Sequence, residues 1–353
     1  MLHTRIPTDH AAGHAGELAR RRSGLILGGM LIAAIALLVS ACMIGSVPLT
    51  FQDLMTALPS LVSGHDQTLA ASVFALRFVR GASAFVTGAM LALAGVMMQA
   101  LLRNPLADPY VLGVSGGAAV GALAAMLFFS AAWMIDVSAF AGALVVALLL
   151  FTLAHRDLRG GNGRSDRSLL LLSGVVVASG CGALITLMLS IAPDSRLRGM
   201  VFWLIGDLSG SALRGLPWIV LGAALIFALR SARAMNVMAL HGDAAQTLGV
   251  AVTTLRRGLF FCAALLTAAA VSSAGSIGFV GLIVPHACRF ALGPDHRLLL
   301  PASLLAGGAF LLLADTLART IVAPQQLPVG VITALIGVPL FLLQLHYLRQ
   351  KNA

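Results

Sequence analysis

Lysine and glutamate are nearly missing from this chain: its 353 residues hold one Lys, Lys351, and one Glu, Glu17. A P-loop nucleotide hydrolase needs a glycine-rich loop followed by a lysine that reaches the terminal phosphates. Lys351 follows no such loop, so hydrolysis by that route is excluded, and the energy for any work comes from a partner or a gradient. Charged residues make up 10% of the chain and aromatic residues 6%, whereas soluble domains carry about 25% charged residues. The four cysteines, Cys42, Cys181, Cys262 and Cys288, stand far apart, in or beside apolar runs. That spacing suits neither a disulfide framework nor a zinc site and reads as small buried hydrophobes.

What the chain has instead is apolar length. It is 59% hydrophobic with a mean hydropathy of +0.96, which makes it an all-α polytopic membrane protein. Stretches of about 17–25 apolar residues cross a bilayer core about 30 Å thick. Breaks at charged or proline-rich turns give ten: 24–44, 82–102, 111–131, 133–154, 169–191, 213–230, 258–274, 279–292, 298–322 and 329–348. The eighth is too short to cross alone at about 1.5 Å per residue, which predicts that it is partly re-entrant or shielded by neighbours. The 37 glycines give these spans small-residue faces on which backbones approach closely.

A formal charge of +10 raises nucleic acid as a partner, but the basic residues lie between apolar segments and not on one soluble face. Topology accounts for them better. With the N-terminus inside, seventeen Lys and Arg fall on the cytoplasmic side and six, Arg77, Arg80, Arg196, Arg198, Arg214 and Arg319, fall outside. This positive-inside bias predicts cytoplasmic termini in a bacterial inner membrane. Residues 1–23 read as a mobile cytoplasmic tail, 24–348 as the membrane domain and 349–353 as a second tail. Residues 47–79 read as an external loop with an interfacial helix, 156–167 as a glycine-rich inner loop, and 193–203 as a short helix near the outer surface. Val39-Ser40-Ala41-Cys42 mimics a lipoprotein cleavage box, but the segment before it is long enough to span uncut.

Acidic candidates for gradient coupling are few: Asp315 in the ninth span, Asp136 at the start of the fourth, and Asp207 outside. Gradient coupling would need one of them deep in the membrane. Asp315 stands four residues before Arg319, so on a helix the two pair on one face; a structural ion pair is the simpler reading, and a proton-coupled secondary carrier is the alternative. His286 and Tyr110 have no second ligand at a useful spacing, which argues against a metal site. Between Met238 and Val250, Leu240, Ala244 and Leu248 recur at helical spacing with Gly249 as a stop, predicting a short amphipathic cytoplasmic helix with an apolar knob. It could dock in a partner's groove or lie on lipid.

Two stretches are the most distinctive. Arg103-Asn104-Pro105-Leu106-Ala107-Asp108-Pro109 is a polar, twice-proline turn that no continuous helix can cross. Gly275-Ser276-Ile277-Gly278-Phe279-Val280-Gly281-Leu282-Ile283-Val284-Pro285-His286 is the second. With Leu313-Ala314-Asp315-Thr316-Leu317-Ala318-Arg319 and Leu327-Pro328-Val329-Gly330, in this order over roughly residues 24–348, the chain resembles the FecCD family, permease subunits of ATP-driven importers for ferric siderophores, haem and vitamin B12.

That resemblance implies a homodimeric type II importer permease in membrane lipid, two cytoplasmic ATPases that hold ATP and Mg, one periplasmic binding protein, and no cofactor in this chain. It places the ATPase-coupling segment at about 234–252, on Leu240, Gly242, Asp243, Ala244, Ala245, Leu248 and Gly249. The chain departs from the family there: His241 stands where Gly is common, Gly242 where an acidic residue is, and Gln246 where a basic one is. Arg77-Phe78-Val79-Arg80 resembles the family's Arg-Leu-Pro-Arg without its proline. By position Arg77, Arg80 and Arg319 match arginines that, in the vitamin B12 permease, meet glutamates of the binding protein. Bidentate pairing and steering suit such a role, at outer span ends where a reversed charge would stay solvated; lipid-headgroup anchoring is the alternative for Arg77. A cytoplasmic gate falls near Arg167 and Ser168, Arg167 replacing a small hydroxyl residue. The family's usual role ranks ferric siderophore first as substrate, then cobalamin, then haem.

Overall fold

Helices in this chain begin and end on local chemistry, and often not where a charge interrupts an apolar run. The structure, a computed structural model, describes residues 9–45, 50, 52, 55, 68–129, 131–154, 165–210 and 215–352, with the backbone alone for 9–20, 111, 112, 154, 165–170, 241–243, 345 and 347–352. Among the described residues there are helices and no strands: α1 Asp9–Met43, α2 Leu69–Leu102, α3 Val114–Phe128, α4 Ala132–Ala154, α5 Ser165–Ile191, α6 Asp194–Ile205, α7 Gly215–His241, α8 Val252–Ala274, α9 Val280–Leu292, α10 His296–Thr320 and α11 Val329–Asn352. Short 3-10 turns occupy Pro109–Leu112 and Gly242–Gln246.

Seven of these helices, α1, α2, α4, α5, α7, α8 and α10, are long and apolar enough to cross a membrane. The apolar parts of α3, α9 and α11 are shorter; α9, with 13 residues, is about 20 Å long at the α-helical rise. Each of the ten expected spans coincides with a helix, and α6 is the short helix expected at 193–203.

The boundaries differ from the expected ones in one systematic way. α2 starts at Leu69, thirteen residues before the expected 82, because Thr68 caps it: its Oγ1 accepts a hydrogen bond from the Ala71 N–H at 3.2 Å. Arg77 and Arg80 therefore lie inside a helix, three residues apart and on one face. α7 likewise runs past Arg230 and Arg233 to His241, and α8 begins before Arg256. Residues 9–23, expected as a tail, extend α1; Ala12, Ala15, Leu18, Ala19 and the arginines that follow are good helix formers. α11 continues to Asn352 through the expected second tail. The external loop expected at 47–79 lies, before α2, almost wholly outside the described residues, as does the inner loop 156–167 up to Arg164.

α2 is the axis of the bundle. Of its apolar window 94% is buried, against 11% for α5 and 17% for α1, and it packs against α10, α8, α9, α1 and α7. Glycine makes this possible. A Cβ on Gly88 would meet the Gly307 carbonyl of α10, and one on Gly95 would meet the Gly281 carbonyl of α9. Gly117 and Gly142 do the same between α3 and α4.

Gly95→Val therefore forces backbone apart from backbone. Thermal denaturation in detergent should show it destabilised by more than the about 1–3 kcal/mol typical of overpacking. Gly222→Ala, in α7 with nothing within 4 Å of the added carbon, should leave the melting temperature unchanged or raise it.

Candidate functional site

Asp315 is fully buried in α10, at 0% exposure, and a carboxylate there needs partners. It has two. Arg80 of α2 donates from Nε to Oδ1 at 2.9 Å and Oδ2 at 3.1 Å, with its Nη2 2.8 Å from Oδ1. Arg319, one turn along α10, brings Nε to 3.2 Å from Oδ2. The two cations reach outward from this carboxylate in different directions. Arg80 Nη1 donates to Gln326 Oε1 at 2.7 Å, and Arg319 Nη2 donates to the Ala41 carbonyl at 3.2 Å. Arg77 completes the cluster by donating from Nη1 to the Cys42 and Met43 carbonyls at 3.0 and 3.1 Å. These three carbonyls end α1, where a helix leaves acceptors unpaired and its dipole favours cations.

This geometry corrects one expectation. Arg77 is 8% exposed, and the side chains of Arg80 and Arg319 are 11% and 8% exposed, so reversed charges here would not stay solvated. The sequence shows the Asp315–Arg319 spacing, but not that Arg80 would join them from 235 residues away.

The two most distinctive sequence stretches meet. After α2, Arg103 takes a left-handed backbone (φ 48), and Asn104 Oδ1 accepts from the Leu106 N–H at 2.9 Å. Asp108 Oδ1 then accepts from the Tyr110 N–H at 2.7 Å and caps the 3-10 turn. Tyr110 Oη accepts from the Ile277 N–H at 3.0 Å, so the twice-proline corner props the unwound segment between α8 and α9. Pro109 packs on Gly281, and Gln99 Nε2 donates to the Leu282 carbonyl at 3.3 Å beside the helical bond that Pro285 cannot make.

Away from that junction, the Leu240–Gly249 segment is not one α-helix. α7 ends at His241, a 3-10 turn covers Gly242–Gln246, and Gly249 turns the chain at φ 82. Gly242 ends the α-helical path, since glycine is a poor helix interior. Apolar projection survives in another form: Leu240 is 80% and Leu248 58% exposed, while Ala245 is fully buried as their anchor. Ala244 is exposed; the burial of Gly242 and the side chain of Asp243 lie outside the described residues. So do the side chains of Arg167 and Ser168, whose backbone opens α5.

Sequence reading missed the exposed face of α5. Ser179, Thr186 and Ser190 lie on it, exposed, with their hydroxyls donating to carbonyls four residues back at 2.8–3.0 Å. Their 7- and 4-residue spacing was the available signal. Elsewhere, a cavity of about 350 Å³ is lined by α4, α7 and α8 residues including Trp133, Asp136, Phe140, Pro217 and Ser272. Buried His286 packs edge-on to Phe341 at 6.5 Å. Among the described residues no three His, Cys, Asp or Glu gather as a metal-ligand set.

A bundle of apolar helices with a broken helix at its centre, glycine seams and an apolar turn at one end defines a membrane permease. The chain belongs to the FecCD transport family, whose model matches residues 31–347; it is a permease of the ABC importer type. It is 44% identical over 303 residues to the cobalamin import system permease protein BtuC of Halobacterium salinarum, covering 84% of this chain and 79% of that one. It is 38% identical to the hemin transport system permease protein HmuU of Yersinia pestis, covering 90% and 94%. A solved metal-chelate type ABC transporter in an inward-facing conformation matches with a TM-score of 0.79 and 30% identity, covering 92% of this chain and 99% of that one. PsaBC from Streptococcus pneumoniae, with a TM-score of 0.54 and 17% identity over 84% and 99% of the two chains, shares the fold.

Two predictions come from this geometry. Asp315→Asn leaves two buried guanidiniums against a neutral amide and should cost about 3–5 kcal/mol, as breaking buried pairs does; an unchanged denaturation midpoint would show the cluster to be solvated. The second concerns half-buried Asp108, whose carboxyl burial pushes up to about 6 against the opposing hydrogen bond from the Tyr110 N–H. A raised acid stabilises the fold fully below its unfolded value, about 4, and that contribution is lost as pH rises through about 6. Asp108→Asn keeps the acceptor and removes the charge, so its stability relative to the unmodified chain should improve between pH 5 and pH 7.

Proposed function

We propose that this chain forms the transmembrane pathway of an ATP-driven importer that carries a metal chelate of the corrin or porphyrin kind, cobalamin first, from periplasm to cytoplasm. The family match over residues 31–347, in a chain without a P-loop, carries this reading. The relatives named above are permeases for cobalamin and hemin, which favours these over the ferric siderophore that the family's usual role put first.

In this reading ten helices span, with α3, α9 and α11 shielded by longer neighbours, and both termini are cytoplasmic by the positive-inside bias. Two copies enclose the pathway, and two ATPases dock on the Leu240–Gly249 turns. The exposed faces of α5 and α11 then meet across the dimer axis. The α5 hydroxyls are already satisfied within their own helix, so they offer a passing chelate a wettable wall with little to hold it. Arg167 and Ser168, at the cytoplasmic start of α5, narrow this pathway. At the other end an acidic binding protein meets the Arg77, Arg80 and Arg319 cluster; Arg80 has the exchangeable contact, since Gln326 is exposed.

Leu240 and Leu248 give the direct test. Leu240→Asp or Leu248→Asp places a charge in an apolar docking groove, at a cost of several kcal/mol unless paired. Proteoliposomes holding the complete complex should lose ATP-driven cyanocobalamin uptake while the permease stays folded. Uptake by this chain alone in a proton gradient would instead establish a secondary carrier, a reading that the double clamp on Asp315 disfavours.

A further inference from the structure

Among the described residues, one polar side chain of α7 reaches across to the start of α10. Asn236 Nδ2 donates to Asp295 Oδ1 at 2.7 Å. Its Oδ1 accepts from the His296 N–H at 2.9 Å and lies 2.7 Å from His296 Nδ1. Asp295 is the N-cap of α10, its Oδ1 also accepting from the Arg297 N–H at 3.0 Å. One amide thus grips both the capping carboxylate and the first free N–H of the helix, groups that a helix start otherwise offers to water.

Position gives this grip its meaning. Asn236 lies one turn before Leu240 on α7, along the same helical stripe, and Leu240 opens the exposed turn. On the other side, α10 holds Pro301 five residues after its start. Proline has no N–H for the Arg297 carbonyl, so bending is favoured there. The first turn of α10 is thus a short segment ahead of Pro301, packed through buried His296 and Leu299, and among the described residues its side-chain hydrogen-bond partner on α7 is Asn236.

The geometry points to Asn236 as a positioning residue that makes the Leu240–Gly249 turn and the first turn of α10 move as one body when the ATPase displaces that turn. This rests on the importer reading above and adds to it a route by which the displacement enters the bundle. Its hydrogen-bond partners are Asp295 and His296, so Asn236 acts through α10.

The test uses the complete complex in proteoliposomes, with whichever of cyanocobalamin and hemin the unmodified complex accumulates as the probe. Uptake per ATP hydrolysed is the readout, because a residue that only adds stability would leave that ratio alone in the assembled complex. Asn236→Ala should lower the ratio about tenfold, a usual size for coupling between sites, with ATP hydrolysis nearly unchanged. Asn236→Asp should do the same by setting two carboxylates against each other. Combining Asn236→Asp with Asp295→Asn exchanges donor and acceptor across the joint, keeps an acceptor for both backbone N–H groups, and should restore most of the ratio.

An unchanged ratio in assembled Asn236→Ala overturns the proposal. If that variant does not assemble, the exchanged pair decides: an assembled complex that couples no better than Asn236→Asp alone also overturns it. Absence of ATP-driven uptake of both probes by the unmodified complex is a different result, and counts against the importer reading itself.

Discussion

Backbone contact through glycine is the constraint on which the rest of this bundle depends. In an apolar medium helices gain no hydrophobic drive from meeting one another, so association rests on close packing. α2 meets this by carrying glycine where the carbonyls of α9 and α10 cross it. Close approach then fixes everything attached to these helices. The Gly95–Gly281 crossing sets the depth at which α9 begins, and so places the unwound segment Gly275–Phe279 against Tyr110. The Gly88–Gly307 crossing sets the register of α10 against α2, which brings Asp315 level with Arg80.

That register explains how a chain with so few acidic residues keeps one fully buried. A single carboxylate neutralises part of two guanidinium charges, and α1 completes the cluster with the carbonyls of its last turn. The arrangement ties α1, α2 and α10 at one end, although α1 has little buried surface of its own. Ionic contacts of this kind add little over apolar packing in net stability. Their contribution is positional: α1 buries only a narrow face, including Ala34, Ala41 and Cys42, and the Arg77 and Arg319 contacts fix the end of that face against α2 and α10.

How much of this the sequence showed follows from which groups were involved. Apolar length located all ten long or shortened helices, and paired prolines located the corner at Arg103. The expected boundaries fall short where arginines extend a helix, at the starts holding Arg77, Arg80 and Arg256 and at the end holding Arg230, because a charge reads as the end of an apolar run. Long arginine stems can lie along apolar surface while the head finds carbonyls, and a carbonyl acceptor leaves no mark in the sequence. The spacing of Leu240, Ala244 and Leu248 showed the exposed apolar turn but gave it the wrong helix type, since Gly242 weighs on the backbone and not on the pattern. Asn236 carried no sequence signal at all. An asparagine in a helix is ordinary until the start of another helix is found against it.

The two ends of α10 are held in different ways, and the difference bears on motion. Near Thr320 the hold is ionic, buried and shared among three helices, so shifting it exposes charge. Near His296 the polar hold is one half-buried amide, Asn236, beside buried His296 and Leu299, with a proline one turn beyond. With an ion cluster at one end and neutral hydrogen bonds beside a proline at the other, displacement costs less charge exposure at the His296 end. The apolar turn that the ATPase would meet lies beside that end, one helical turn from the amide that joins α7 to it.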